Sequence, residues 1–286
     1  MMNPLIVLGS GFDKDLGLEN SFAEFSKCHL NPACGNAGWG AFENTLRQKV
    51  VDWYKNGMDD NSAKEINRLW QIYKRNLSYF FTIKSDVFCL DVNSCAHKFL
   101  ESLSKNYNIY SFNYTNPYDY VKLDKEYPIT HLHGRYYKDT FKKDMMVVSQ
   151  GSNLVIGIDD DCIPCDTTIS PYIQALIKTH QQGYVESNLK TDLLFAETII
   201  LYGFSMCEVD YNIYFKSLFN TIAEGRTLCK KIFYITACED SYAEFREKLN
   251  EFDNKNMSLD AKVKIIPIYT TLGYQNETFR ELLNML

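Results

Sequence analysis

Leu5-Ile-Val-Leu-Gly-Ser-Gly-Phe-Asp13 decides the fold: four apolar residues without alternation, two glycines around a serine, then a run that opens a helix reaching about Phe25. A short continuous apolar run closed by glycine is the pattern of a strand buried on both faces. Gly9-Ser-Gly11 lets the backbone turn sharply, so the segment reads as strand, tight turn, helix. Three further segments share this form: Ser111-Phe-Asn-Tyr-Thr115, His131-Leu-His-Gly134 and Ile199-Ile-Leu-Tyr-Gly-Phe-Ser-Met-Cys-Glu-Val-Asp210. Each is an apolar strand that ends abruptly in polar or small residues. Strands that deliver polar groups at their carboxyl ends are what a nucleotide crevice on an open α/β sheet requires.

Working outward, strands are expected at 108–113, 129–133, 154–158, 198–203, 231–237 and 263–268, with helical stretches at about 171–181, 187–197, 210–224, 241–252 and 276–285. This alternation predicts a Rossmann-like α/β fold, a mostly parallel sheet covered by helices. One domain over 1–286 is expected, with a helical insertion at about 36–105. Within that insertion Ile66, Leu69, Trp70, Tyr73, Leu77, Phe80 and Phe81 follow the i, i+3, i+4, i+7 rhythm of one apolar helix face. Packing is the first reading of this aromatic stripe, and a lid over the crevice is the second. Arg135–Gln150, with Lys138, Lys142 and Lys143, reads as an exposed hairpin or loop.

Composition narrows the function classes. Of 286 residues 45% are hydrophobic, enough for a sizeable core, and 30 basic against 36 acidic residues leave a net charge of −6 with no basic run. A nucleic-acid binder would normally show a basic stripe. No apolar stretch reaches the ~18–20 residues that span a bilayer, and the start of the chain has no signal-peptide pattern, so a cytoplasmic protein is expected. Nine scattered cysteines then read as reduced thiols. The lone Cys162-Ile-Pro-Cys165 lacks the second pair of a zinc site, and no metal is expected.

Each polar strand end has a functional reading and a structural one. Gly9, Ser10, Gly11 and Phe12 would bring backbone N–H groups to a phosphate, or simply make a tight turn; Lys14 stands where G-x-G-x-x-G has its third glycine. Asp13 is a ligand contact or a helix cap. Asn113 would hold a hydroxyl and a water, or shape a turn. His131 and His133, two apart on a strand, would face opposite sides of the sheet, with His133 nearer the crevice and His131 in the core. Gly203 and Ser205 would accept a ribose or phosphate, and Asp210 would join them or cap the next helix.

Taken together, Gly9-Ser-Gly-Phe-Asp13, Gly17-Leu18, Asn20-Ser-Phe22 with Phe25, Ser111-Phe-Asn-Tyr-Thr115, His131-Leu-His-Gly134, Ile156-Gly-Ile-Asp159 and Leu201-Tyr-Gly-Phe-Ser205 followed by Asp210 resemble the AbiH family of bacteriophage abortive-infection proteins. That family is distantly similar to sirtuin-like proteins, in which such strand ends surround NAD. The resemblance implies a phage-defence role, NAD as substrate or ligand with no prosthetic group, and cleavage of the nicotinamide–ribose bond. It matches Asn113 to the catalytic Asn and His133 to the catalytic His, the general base. The chain departs from the family pattern with Ser10 for Asn and with Leu16 and Phe204 for His, and it lacks the zinc module of sirtuin deacylases. The competing expectation is a sensing module that binds NAD or ADP-ribose without turnover and acts through a partner. Because unchecked NAD loss kills a cell, an active form is expected to be held silent, by homo-oligomerisation or by the insertion.

Overall fold

The computed structural model describes residues 4–19, 24–25, 39–105, 107–137, 153–159, 162–163, 169–205, 210–253 and 259–286. In chain order the elements are β1 (Leu5–Leu8), α1 (Ser10–Leu16), α2 (Trp39–Lys55), α3 (Asp60–Asp86), α4 (Cys95–Ser102), β2 (Asn108–Ser111), β3 (Ile129–His131), β4 (Gly134–Arg135) and β5 (Asn153–Leu154). They continue with α5 (Pro171–Gln174), α6 (Leu189–Phe195), β6 (Thr198–Tyr202), a π-helical turn (Tyr211–Phe215), α7 (Lys216–Ala223), β7 (Lys231–Thr236), α8 (Glu239–Asp253), β8 (Lys264–Tyr269) and α9 (Glu277–Met285).

The main sheet has six strands in the order β3-β2-β1-β6-β7-β8. The pairs β1–β2, β1–β6, β6–β7 and β7–β8 are all parallel, with Leu5 opposite both Asn108 and Ile199. Counted along this sheet alone, that is the 3-2-1-4-5-6 order of a doubly wound dinucleotide fold. The expected Rossmann-like α/β architecture is therefore present. Growth of the sheet reverses at β1, so the crevice between the carboxyl ends of β1 and β6 is the topological switch point. Every residue of β1 is buried, which explains the absence of alternation in its sequence.

The chain divides into two compact units, one of Met1–Leu18, Cys89–Thr130 and Ser187–Leu286, the other of Glu19–Phe88 and His131–Glu186. The expected insertion at 36–105 is thus cut at Phe88: α2 and α3 lie in the second unit, α4 in the first. In the second unit the aromatic stripe is core. Tyr73 has no exposure and Phe80 is 3% exposed; the Phe25 ring meets both edge-on, while Phe42 stacks on Tyr73 at 3.4 Å. Beneath them the Glu43 carboxylate takes the Lys178 ammonium at 3.0 Å and the Gly157 amide at 3.2 Å, so the buried charge is paired.

Several expectations change: α1 ends at Leu16 rather than reaching Phe25, and the helix expected at 171–181 is only Pro171–Gln174. The strand foreseen at 154–158 is only the short β5, which pairs antiparallel with β4 outside the main sheet. Its continuation is met by side chains of distant segments instead, with both the indole of Trp70 and the amide of Gln181 on the Ile156 carbonyl. β3 ends at His131, and Leu132 and His133 form the turn into β4. The opposite-faces argument therefore does not apply to His133, although His131 is buried as foreseen. Most of Arg135–Gln150 lies outside the described residues, as do Cys165 and Asn20-Ser-Phe22. Among the described residues no helix is long and apolar enough to cross a membrane.

Candidate functional site

The first unit carries the switch point. The β1–α1 turn and the exit of β6 lie backbone against backbone: the Gly9 amide donates to the Tyr202 carbonyl and the Gly11 amide to the Gly203 carbonyl, each at 2.9 Å. A Cβ on Gly203 would lie 2.1 Å from the Phe12 nitrogen, one on Gly11 2.7 Å from the Gly203 Cα, and one on Gly9 2.5 Å from the Gly203 carbonyl oxygen. Gly203 also has φ +61°, a left-handed conformation that glycine tolerates. These three glycines are explained by the close approach of two protein segments. The Phe12 amide in turn donates to the Gly9 carbonyl, so the amides of Gly9, Gly11 and Phe12 are all spent on protein.

On the β2 side of this turn lies a buried polar knot. Both hydrogens of the Asn113 side-chain amide are used, at 2.9 Å to the Gly9 carbonyl and at 2.9 Å to Asp13 Oδ1. The Thr115 hydroxyl donates to Asp13 Oδ2. Asp13 is 1% exposed, Thr115 2% and Asn113 7%. Asp13 is therefore no helix cap: it sits inside α1, whose N-cap residue is Gly9, and ties that helix to the chain leaving β2. The backbone amide of Asn113 donates to the Ser111 hydroxyl at 3.0 Å, which shapes the turn after the strand.

On the other side is space. A cavity of about 340 Å³ opens at the carboxyl ends of β1, β6, β7 and β8. The β1–α1 turn gives it Ser10, Gly11, Lys14 and Asp15; the exit of β6 gives it Tyr202 through Ser205. Hydroxyls of Thr236, Ser241 and Thr270 add polar groups to a lining that also includes Phe204, Tyr234 and Ala237. Ligand pockets of this size commonly sit at such switch points. On its floor, Asp15 Oδ2 accepts the Tyr202 hydroxyl and the Ala96 amide, both at 2.6 Å. Burial pushes the Asp15 carboxyl above its usual range, more than these two hydrogen bonds pull it down. Burial likewise lifts the Cys95 thiol to about 12, helped by the carboxylates of Asp15 and Asp91. Cys95 is thus an inert core group.

The residues singled out in the sequence fall into separate places. Ser10, Gly11, Gly203 and Ser205 border the cavity, and Gly9 supports its wall from behind. Asp13 and Asn113 meet each other in the knot. Phe12 is core, its ring edge-on to Tyr202 at 5.0 Å and to Phe99 at 6.5 Å. Asp210 is buried at the head of the π-helical turn and makes no side-chain capping bond to it. His133 belongs to the second unit. Leu16 is fully buried, and Phe204 packs at 4.6 Å against Phe112 and 4.9 Å against Phe215.

Sequence reasoning missed Lys14, Asp15, Tyr234, Thr236, Ser241, Glu244 and Thr270 as lining. A signal existed: 231–237 and 263–268 were legible as strands, and the residues just beyond their carboxyl ends belong to the same crevice by the same rule.

Comparisons with curated proteins and with solved structures returned no significant match. A family model does match, over residues 5–234, which takes in the β1–α1 turn, the knot, the exit of β6 and the first four residues of β7. The chain belongs to the bacteriophage abortive infection AbiH family.

Proposed function

We propose that this chain serves phage defence by taking NAD, or a closely related nucleotide, into the cavity at the β1–β6 switch point and cleaving its nicotinamide–ribose bond. The observation that carries the nucleotide part is a cavity of about 340 Å³, lined by both hydroxyls and aromatic rings, at the place where a 3-2-1-4-5-6 sheet reverses. Lys14, the one basic side chain among the described residues that line it, stands ready for a phosphate.

In the cleavage, a water oxygen forms a bond to ribose C1′ as the bond from C1′ to the pyridinium nitrogen breaks. The bonding pair neutralises the pyridinium and nicotinamide leaves uncharged, while the water proton passes to a base. A cationic leaving group needs no general acid, so the protein has to position the dinucleotide, exclude water and stabilise an oxocarbenium-like ribose. His133 is the base that the family resemblance nominates, and Asn113 the residue that would orient the water.

A second reading is favoured by one specific observation. The Asn113 amide is already bonded to the Gly9 carbonyl and Asp13, as expected of a brace. That favours binding of NAD or ADP-ribose without turnover, the signal passing to a partner. Purified protein incubated with NAD and assayed for free nicotinamide, beside calorimetry with NAD and ADP-ribose, separates the two. Hydrolysis predicts nicotinamide release that falls ~10²-fold or more in His133→Ala. Binding without release supports the sensor. Absence of binding by either ligand would remove the nucleotide reading.

A further inference from the structure

We infer that Asp15 sets the class of nucleotide admitted: its carboxylate receives the 2′-hydroxyl of an unphosphorylated ribose and turns away a ribose bearing a 2′-phosphate. The inference rests on the reading of the cavity as a nucleotide site and names its selectivity.

Asp15 lies on α1, half-buried, and lines the cavity together with Thr270. Oδ2 is fixed from the protein side by two short bonds, from the Ala96 amide and the Tyr202 hydroxyl. The Thr270 hydroxyl bonds the same carboxylate. A carboxylate offers about four acceptor positions and these bonds take three of them, so capacity remains for one ligand hydroxyl. A fixed acceptor of this kind spends little entropy when a ribose hydroxyl arrives.

The charges around it set the selectivity. Glu244 and Lys14 also line the cavity but are exposed, which leaves Asp15 as the least hydrated charge in the lining. The groups that perturb Asp15 are Tyr202, Ala96, Asp91 and Thr270, none of them cationic. No arginine lines the cavity among the described residues. Hydroxyl donors satisfy this carboxylate, whereas a phosphate beside it meets a like charge in a partly desolvated place and finds no guanidinium.

Calorimetry of the whole chain with NAD and with NADP tests the assignment. The wild type should bind NAD at least about tenfold more tightly, since like-charge placement is the usual way to reject a competitor. Asp15→Asn keeps the size of the side chain and an acceptor for Tyr202; in it the ratio should fall below about threefold, mainly through tighter NADP binding. Glu224→Gln, exposed and outside the cavity lining, should leave the ratio unaltered, and Glu244→Gln should lower it less than Asp15→Asn does. If Asp15→Asn does not fold, Tyr202→Phe, which frees the carboxylate to move, should still lower the ratio. Equal binding of both dinucleotides by the wild type overturns the assignment, as does an unaltered ratio in Asp15→Asn or a ratio that falls as far in Glu244→Gln. Binding of neither dinucleotide overturns the nucleotide reading itself, an outcome distinct from binding without selectivity.

Discussion

The two flanks of the β1–α1 turn use the same kinds of residue to opposite ends. Toward β2, an Asp, an Asn and a Thr are buried and bonded to one another and to the Gly9 carbonyl. Toward β6, β7 and β8, an Asp and several hydroxyls border open volume. The comparison teaches that a polar residue at a strand end does not declare its role by type or position. What decides is whether its bonding capacity is met from within. The glycines at the seam set the standard for rigidity. Gly203→Ala would force a left-handed φ on a side chain and drive its Cβ to 2.1 Å from the Phe12 nitrogen, with backbone on every side. It should cost about 4 kcal/mol or more, the largest effect of the series, read as insoluble protein or as a collapse of the urea midpoint. A mild loss would mean that the turn can yield, and the two flanks would no longer share a fixed wall.

Within the knot, Asp13→Ala leaves one Asn113 hydrogen and the Thr115 hydroxyl without their buried acceptor. A loss of about 2–3 kcal/mol in urea denaturation is expected, and Asn113→Ala should cost somewhat less because it removes donors from groups that can bond elsewhere. The decisive pairing is of stability with turnover in Asn113→Ala. A variant with undiminished stability and no nicotinamide release would transfer Asn113 from the sealed flank to the reacting one.

Much of this sheet was legible in the residues, and for a physical reason. A strand buried on both faces has to be apolar throughout, and Leu5–Leu8 and Ile199–Leu201 are. Glycine at a backbone crossing is equally forced, so Gly9, Gly11 and Gly203 stood out, although a ligand and a packed neighbour demand the same missing Cβ. The division between knot and cavity was not legible. Asp13 and Asp15 are two residues apart on one helix, and only tertiary placement gives one Asn113 and the other an opening. The short β5 shows the same limit: Leu154–Ile158 is apolar enough for a central strand, yet the Ile156 carbonyl is met by Trp70 and Gln181. His133 misled by period, since the alternation of a strand stops where the strand stops.

A smaller effect distinguishes the two aspartates by pH. The Asp15 pKa is raised above the ordinary value of 3.8 by burial first, with Asp91 adding to it and the bonds from Tyr202, Ala96 and Thr270 opposing. The folded chain therefore holds this proton more tightly than the unfolded chain. Its stabilising contribution is complete below 3.8 and is lost as the pH rises through the raised folded value. Asp15→Asn cannot titrate. Relative to that variant the wild type should gain stability on acidification from about pH 7 toward pH 3, measured as the difference in urea midpoints. A constant difference across that range would mean that Asp15 is better hydrated than its place on the cavity floor implies.

The smallest change in stability belongs to the open flank and is the sharpest test of it. Ser10 and Ser205 are exposed and line the cavity from the two sides of the switch point. Replacing either with alanine removes a hydroxyl that water reaches in the free protein, so the urea midpoint should correspond to a change within about 0.5 kcal/mol. If the cavity takes a nucleotide, the same substitutions should weaken NAD binding by roughly three- to tenfold, the worth of one hydrogen bond of about 1 kcal/mol. Stability and affinity thus separate on this flank, whereas in the knot they should fall together, because there a residue cannot be removed without leaving a buried group unmet. A Ser10→Ala or Ser205→Ala protein that loses stability as Asp13→Ala does would show that hydroxyls on this flank are bound up in the fold just like those of the knot. The volume beside them would then be a packing gap rather than a site.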